Sequence, residues 1–489
     1  MRTNRCAAAC GQHQHVHRRE FLATSASVAS ASLLGGWLLD AAPAWAEKIE
    51  PQGPGAKCVP VVRACFVRRK GDYGMRWPGA VYDGEAARKK YTDLLAAEAK
   101  KLNLELDLRP EPVYSAAEAD QWIAESQAAK PDGLLVVLLD RQEHAWPTAN
   151  KAIDTAIPTV VFSPVGSSFT TNTAGPSKKP GCFICSTDDF DQVRYGMKML
   201  HALAKMRATR CLVIRGRKRF DSEIAHLGIQ LRHVPAGAFI EQYNATPVDD
   251  EIKAMAAALI KGAKAVVSGS EQDVINGIKS YRVAAELLAR EECDAITMDC
   301  LGALGRLEVS LPCIAWSKMN DDRIPAACEA DLGAVASHII VQYLFDRPGF
   351  QQDPVAETAK EAIIGAHCCC ATRLNGFDAP PEPYDIRHHH ANRDATARPI
   401  WKLGQRVTSA DVLLAGRDVP PTMLISAGEV IENVSVPPAG GCVVSVMVKF
   451  DNVTDVLAYP GFHQIFFYGD FKRELAQFCQ MAGIQAKVV

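Results

Sequence analysis

Gly133-Leu-Leu-Val-Val-Leu-Leu-Asp140 is an unbroken aliphatic run between a glycine and an aspartate. Such a run predicts a strand buried on both faces, as in a parallel sheet, because a strand with one wet face alternates apolar and polar residues. A helical pattern at residues 115–129, with Ser115 as N-cap, precedes it, and Thr159-Val-Val-Phe-Ser163 follows as the next strand. This alternation predicts an α/β fold.

The same alternation extends along the chain in both directions. We predict an N-terminal α/β domain over residues 57–170, which ends in a stretch rich in Ser, Thr and Gly, and a second α/β domain over residues 171–350. The predicted strands are 61–67, 104–108, 133–140, 159–163, 211–215, 265–268 and 295–298, and the predicted helices are 83–102, 115–129, 188–206, 249–261 and 271–288. From about Pro354 helical patterns fade and β-rich runs appear, which predicts a third, β-rich domain over residues 351–489.

Residues 1–46 are typical of a targeting segment. Arg18-Arg19 is followed by Phe21-Leu22, then by an apolar stretch to residue 39 and a small-residue cleavage site at Ala44-Trp-Ala46. This pattern resembles a twin-arginine signal peptide, which predicts a periplasmic or otherwise extracytoplasmic protein that is exported already folded. An uncleaved membrane anchor is the alternative, but the stretch is short and broken by Ser, Thr and Gly, so we expect no stable membrane span after signal cleavage.

The chain has 489 residues and a formal net charge of −2. This length exceeds what one hydrophobic core supports, and the lack of basic runs argues against a nucleic-acid partner. The sixteen cysteines show no regular disulfide framework, although Cys368, Cys369 and Cys370 are consecutive. Cys182-Phe-Ile-Cys185 lacks the second pair that a zinc site of this type needs, which favours a buried thiol pair or a disulfide.

The sequence contains no phosphate-binding loop, dinucleotide fingerprint or serine-hydrolase elbow. The candidate site residues are therefore dispersed acidic residues and histidines. In Ile324-Pro-Ala-Ala-Cys-Glu-Ala-Asp-Leu-Gly-Ala334, two carboxylates, Glu329 and Asp331, stand among small apolar residues just before a helical pattern. Buried carboxylates need compensation by a cation or a bound substrate. The alternative is that both simply cap the following helix, where the helix dipole favours negative charge.

Three further residues join this set. Asp299 follows an apolar strand, and ligands of open α/β sheets gather where strands end, although a loop-capping role is equally compatible. His367 and His463 lie in segments of small residues, Gly365-Ala-His-Cys368 and Pro460-Gly-Phe-His-Gln464. His388-His389-His390 is interpreted as an exposed loop, because adjacent histidines cannot all face one ion. Oxygen ligands with one imidazole favour Mn²⁺ or Mg²⁺ over zinc.

The C-terminal half, over residues 295–485, resembles the L-fucose/L-arabinose isomerase family. The segments that carry this resemblance are Leu311-Pro-Cys313, Ala327-Cys-Glu-Ala-Asp-Leu-Gly333, Gly365-Ala-His-Cys368, Pro437-Pro-Ala-Gly-Gly-Cys442, Gly461-Phe-His-Gln464 and Tyr468-Gly-Asp470. The resemblance implies two Rossmann-like α/β domains followed by a barrel-like C-terminal domain. It also implies a homo-oligomer, trimer or hexamer, with one divalent cation, usually Mn²⁺, held by two acidic residues and one histidine.

The resemblance also implies roles for single residues. Glu329 and Asp331 become metal ligands, with the choice between them open because family members differ, and His463 becomes the metal histidine. His367 falls near the substrate. The first acidic position is filled by Asp299, with Glu308 as a second choice. Glu329 is then also the catalytic base and Asp299 the partner acid, in contact with substrate.

The function that follows is an exported, metal-dependent aldose–ketose isomerase that acts on a small sugar through an enediolate. Two alternatives stay open. A non-catalytic periplasmic carbohydrate-binding protein also fits two α/β domains with export. An epimerase or lyase on a modified sugar would use the same enediolate chemistry.

Overall fold

The computed structural model describes residues 49–489 apart from positions 72, 74–78, 80, 82, 142, 305–308, 390–392 and 436–441. The predicted signal peptide, residues 1–46, lies outside the described residues. The same is true of Glu308, of His390 and of most of the segment 437–442.

The N-terminal region contains a five-stranded parallel sheet around the aliphatic run quoted above. Its helices and strands are α1 (Pro54–Lys57), β1 (Val61–Val67), α2 (Gly84–Leu102), β2 (Glu105–Leu108), α3 (Ala116–Ala129), β3 (Gly133–Leu138), α4 (Ala145–Asp154), β4 (Thr159–Ser163), α5 (Thr170–Thr173) and β5 (Cys182–Ser186). The strand order is β2-β1-β3-β4-β5, with every pairing parallel. All residues of β3 are buried, as expected for a central strand covered on both faces.

The middle region contains a second five-stranded sheet. Its elements are α6 (Phe190–Ala208), β6 (Arg210–Ile214), β7 (Phe220–Ile224), β8 (Ile229–Val234), α7 (Ala236–Ala245), α8 (Asp250–Gly262), β9 (Ala265–Val266), α9 (Glu271–Arg290), β10 (Ala295–Met298), α10 (Cys300–Leu304), α11 (Cys313–Asp321), β11 (Ala326–Cys328) and α12 (Leu332–Phe345). The order is β11-β10-β6-β8-β7, in which only β7 runs antiparallel to its neighbour. Strand β11 therefore forms one edge of this sheet.

The C-terminal region forms a closed barrel of six antiparallel strands. Its elements are β12 (Phe350–Glu357), β13 (Ala362–His367), β14 (Tyr384–His388), β15 (Ala395–Pro399), β16 (Arg406–Leu413), β17 (Thr422–Asn433), β18 (Val444–Phe450), β19 (Gln464–Tyr468), α13 (Lys472–Ala482) and β20 (Gln485–Val488). The barrel order is β16-β19-β12-β13-β18-β17, and pairing of β17 with β16 closes it. Strands β14 and β15 lie outside the barrel and pair with each other, and β14 also pairs with β9 of the middle region.

Two contacts join the edge of the second sheet to the barrel. The backbone N–H of Cys328, the last residue of β11, donates to Oε1 of Gln351 in β12 at 2.7 Å. On helix α12, Oγ of Ser337 accepts a hydrogen bond from the backbone N–H of Val412 in β16 at 2.9 Å. The turn between β11 and α12 is thereby held against the barrel wall.

The mixed α/β fold with a parallel sheet, and the barrel at the C-terminal end, are confirmed. The strand predicted at 265–268 is shorter than expected, since β9 covers only Ala265–Val266. It pairs with β14 rather than with the second sheet, and both of its residues are exposed. Within the described residues, no helix combines the length and the apolar character needed to cross a bilayer.

Candidate functional site

The two carboxylates of the central motif lie in the turn between β11 and α12. Glu329 and Ala330 both adopt left-handed backbone conformations, with φ of 64° and 53°. Asp331 is the N-cap of α12, and its Oδ1 accepts the backbone N–H of Ala334 at 2.8 Å. The predicted helix start is therefore present. Non-glycine residues seldom hold positive φ without a compensating role, so the turn fixes the direction of the Glu329 side chain at some energetic cost.

His463 comes to the same place from the barrel. It precedes β19, has φ of 53°, and follows Gly461, whose φ is 92°. A Cβ at Gly461 would lie 2.5 Å from Oδ2 of Asp411, so only glycine lets the chain pass this carboxylate. Nδ1 of His463 is 2.9 Å from Oδ2 of Asp331, which joins the barrel to the helix cap.

The other nitrogen of His463 faces two further carboxylates. Nε2 lies 3.2 Å from Oδ1 of Asp353 in β12 and 3.5 Å from Oε2 of Glu329. Neither Nε2 nor Asp353 Oδ1 makes a hydrogen bond with the described residues, although both atoms are buried. On the opposite side, Oε1 of Glu329 lies 3.8 Å from Nε2 of His367 at the end of β13. One ligand atom each from Glu329, His367 and His463 lies within 4.8 Å of the others.

The charges of this group are strongly coupled. Burial by itself lowers the pKa of His463, but the carboxylates of Asp331 and Asp353 outweigh burial and raise it to about 10. Burial by itself raises the pKa of Asp331, yet the hydrogen bonds from His463 and from the Ala334 N–H leave it below its ordinary value. The imidazole therefore carries a positive charge at neutral pH and balances the neighbouring carboxylates.

A cavity of about 500 Å³ opens beside this group. The lining residues are Arg215, Glu329, Ala330, Asp331, Leu332, Gly333, Asp411, Val412, Leu413, Leu414, Phe462 and His463. Burial raises the pKa of Asp411 to about 7, although the Phe462 N–H, which donates to Oδ2 at 3.2 Å, acts in the opposite direction. A carboxyl group with this pKa gains and loses a proton near neutral pH, which suits general acid–base chemistry.

In the described part of the chain, Asp299 makes no hydrogen bond or ion pair with Glu329, Asp331 or His463. It follows β10, whose end lies in register with the end of β11, with Met298 opposite Cys328. Its Oδ1 accepts the backbone N–H of Gly302 at 3.2 Å, so it caps the short helix α10. The loop-capping interpretation describes this contact, and the catalytic role of Asp299 stays a prediction.

Two residues of the site were not identified from the sequence. Asp353 stands in the barrel strand β12, after the buried Gln351 and Gln352, and Asp411 stands in β16. In the sequence, these residues appear only as polar residues inside a β-rich segment. Such a pattern does not show which side chains face the barrel interior until the register of the barrel strands is known.

The three-histidine tract differs from its prediction. His388 ends β14 with Nε2 at 3.4 Å from Oδ2 of Asp273, and His389 is only 1% exposed. The interpretation as an exposed loop is wrong for His389, because pairing of β14 with β9 and β15 draws the tract into the interior. Cys182 and Cys185 are free buried thiols, one of the two alternatives predicted.

Glu329, His367 and His463 each bring one ligand atom close enough together to hold a metal ion. Carboxylate oxygens are ligands that Mn²⁺ and Mg²⁺ accept, and imidazole is a ligand of many transition metals. Asp353 Oδ1 and His463 Nε2 form an ion pair at 3.2 Å without regular hydrogen-bond geometry. Asp331 hydrogen-bonds Nδ1 of His463, and a carboxylate commonly forms this bond with the second ring nitrogen of a metal-binding histidine.

No protein-family model matches the chain, and no curated protein matches it.

Proposed function

We propose that this protein is a metal-dependent sugar isomerase that interconverts an aldose and a ketose. The observation that carries the proposal is the convergence of Glu329, His367 and His463 within 4.8 Å, with Asp331 and Asp353 on either side of the His463 ring. These side chains come from the sheet edge and from the barrel, and Glu329, Asp331 and His463 border an open cavity of a size suited to a small polar molecule.

In this proposal Glu329, Asp353 and Nε2 of His463 hold a divalent cation such as Mn²⁺. Asp331 keeps the His463 ring in place through Nδ1, and ligation by Asp331, as the family resemblance implies, is the alternative. When bound, the cation polarises the sugar carbonyl and balances negative charge that develops on its oxygens. His367 lies beside Glu329 and is 2% exposed, and its contact with the sugar is what the family resemblance implies.

The proton transfer is assigned to carboxylates of the chain. Glu329 removes the proton from the carbon next to the carbonyl and returns it to the former carbonyl carbon. Asp411, whose pKa is raised to about 7, exchanges the proton between the two sugar oxygens. Asp299 is the alternative for this second role. A positioned base of this kind contributes about 10²–10⁴-fold in rate.

The wider predictions belong to the same proposal. They are two Rossmann-like domains over residues 57–170 and 171–350, assembly as a homo-oligomer, and export by the twin-arginine route to an extracytoplasmic compartment.

The test is a panel of aldoses incubated with the Mn²⁺-loaded protein in D₂O and followed by NMR. We expect deuterium to enter at C1 or C2 of one sugar as its ketose forms. Glu329→Gln should lower this rate by about 10²-fold or more, whereas Glu241→Gln, an exposed position on α7, should leave it unchanged. Sugar binding without deuterium uptake would favour the carbohydrate-binding alternative, and deuterium uptake with inversion or elimination would favour an epimerase or lyase.

A further inference from the structure

A group of thiols lies directly behind the carboxylate site. Sγ of Cys328 is 3.0 Å from Sγ of Cys369, and both residues are buried. Cys328 ends β11 one residue before Glu329, and Cys369 follows β13 two residues after His367. The distance is longer than the roughly 2.0 Å of a disulfide bond, so the two sulfurs are separate groups.

An imidazole completes this arrangement. A nitrogen of His367 and the sulfurs of Cys328 and Cys369 all lie within 4.8 Å of one another. His367 is 2% exposed, and its Nδ1 makes no hydrogen bond with the described residues. Two thiols and one imidazole from two parts of the chain therefore meet among buried residues.

A second group of similar composition stands next to the first. Cys313, Cys368 and His389 bring their ligand atoms within 4.8 Å of one another, and all three are buried. The thiol of Cys442 interacts with that of Cys368. Thiols thus accumulate around the consecutive cysteines 368 and 369, whose side chains point to opposite groups.

Burial of cysteine alone does not carry this argument, because a free cysteine commonly serves as a small apolar side chain. Cys370 is an example: it is 1% exposed, and its sulfur donates to the backbone oxygen of Ala371 at 3.3 Å. Cys328 and Cys369 differ because each faces another sulfur and a buried imidazole. Such an arrangement brings two sulfurs and a ring nitrogen within 4.8 Å of one another, as ligands of one metal ion must be.

We propose that Cys328, His367 and Cys369 bind a thiophilic metal ion, and that Zn²⁺ is the ion this set favours. Cysteine thiolates together with histidine are common ligands of zinc. The sulfur ligands of this centre favour a softer metal ion than the oxygen ligands around Glu329, which favour Mn²⁺ or Mg²⁺. His367 belongs to both groups, so a metal ion bound by the thiolates would also hold His367 in position beside Glu329.

The test compares two neighbouring cysteines in the full-length purified protein. Cys369→Ala removes a proposed ligand, whereas Cys370→Ala removes an equally buried sulfur that is no ligand. Zinc is measured by elemental analysis, and after exchange with Co²⁺ the near-ultraviolet sulfur-to-cobalt band reports thiolate ligation. We expect the wild type and Cys370→Ala to retain about one more zinc per chain than Cys369→Ala, and only the first two to show the full band.

Two results would contradict the proposed thiolate metal site. One is equal metal content and equal cobalt bands in the two variants. The other is a Cys328–Cys369 disulfide found by mass spectrometry in protein purified without reductant. If Cys369→Ala does not fold, Cys328→Ser is measured in its place, with the same expected loss of the band. Iron in place of zinc, lost in Cys369→Ala, would support the thiolate site and overturn the choice of zinc. Glu329→Gln should keep the cobalt band, which separates this result from failure of the isomerase proposal.

Discussion

At the scale of single residues, His463 carries the most information about the site. Its ring is held by Asp331 at Nδ1, and its Nε2 faces Asp353 and Glu329. Its backbone, like that of Glu329, is left-handed. Two strained non-glycine residues at one point indicate that the surrounding structure has been arranged to present these side chains.

A proton must leave His463 when a cation binds at Nε2. Because the pKa of His463 is raised to about 10, the ring carries that proton at neutral pH. Binding of Mn²⁺ should therefore release about one proton, and the apparent affinity should rise about tenfold for each pH unit between roughly 6 and 9. Calorimetric titration in buffers of different ionisation enthalpy measures the released proton.

The control for this experiment is His233→Gln, which changes a histidine on β8 that stacks on Phe220. It should keep both the proton release and the pH dependence. Mn²⁺ binding that is independent of pH over this range would show that His463 is not a ligand.

At the level of secondary-structure elements, Asp294 connects α1, β6 and the start of β10 through hydrogen bonds. It stands immediately before β10, and its carboxylate accepts backbone N–H groups from Gly55 and Ala56 of α1, at 2.9 and 2.8 Å, and from Arg210 of β6, at 3.0 Å. The residue is only 1% exposed. The carboxylate therefore anchors the N-terminal helix α1 to the second sheet.

Removal of this carboxylate should leave three backbone donors without an acceptor. We expect Asp294→Ala to lower the free energy of unfolding by about 2–4 kcal/mol, measured by denaturant unfolding. The matched control is Asp346→Ala, which removes an exposed carboxylate paired with Lys198 and should cost less than about 1 kcal/mol. A similar, small loss in both variants would mean that α1 is not held by Asp294.

At the scale of the whole molecule, the carboxylate site joins two structural units. Glu329 and Asp331 follow the edge strand of the second sheet, whereas Asp353, His367 and His463 belong to the barrel or adjoin it. A cation held by both sets would link the sheet to the barrel. Binding should then stabilise the whole folded chain, because the unfolded chain cannot bring these ligands together.

We expect Mn²⁺ at about 100 times its dissociation constant to add roughly 2.7 kcal/mol of stability, seen as a higher thermal unfolding temperature. Asp353→Asn should reduce this shift, because it removes the carboxylate that faces His463 from the barrel. Asp418→Asn, at an exposed position, should keep the full shift. An undiminished shift in Asp353→Asn would place the cation elsewhere.

The buried strand and the capped helix start were predictable from the amino-acid sequence alone. The aliphatic run at 133–140 specified a buried strand, and the small residues before Glu329 and Asp331 with the helical pattern after them specified a capped helix start. It also singled out His367 and His463 as the histidines of interest. These features depend on residues within a few positions of each other, where periodicity and capping chemistry act.

Packing between segments far apart in the chain set which distant residues meet. Asp353 and Asp411 joined the site, and Cys328 met Cys369, because barrel closure and the docking of α12 set which strand ends lie opposite one another. His389 is buried because β14 pairs with β9 and β15 in a separate small sheet. Periodicity reports which face of an element is apolar, but the partner of that face is fixed by packing between segments far apart in the chain.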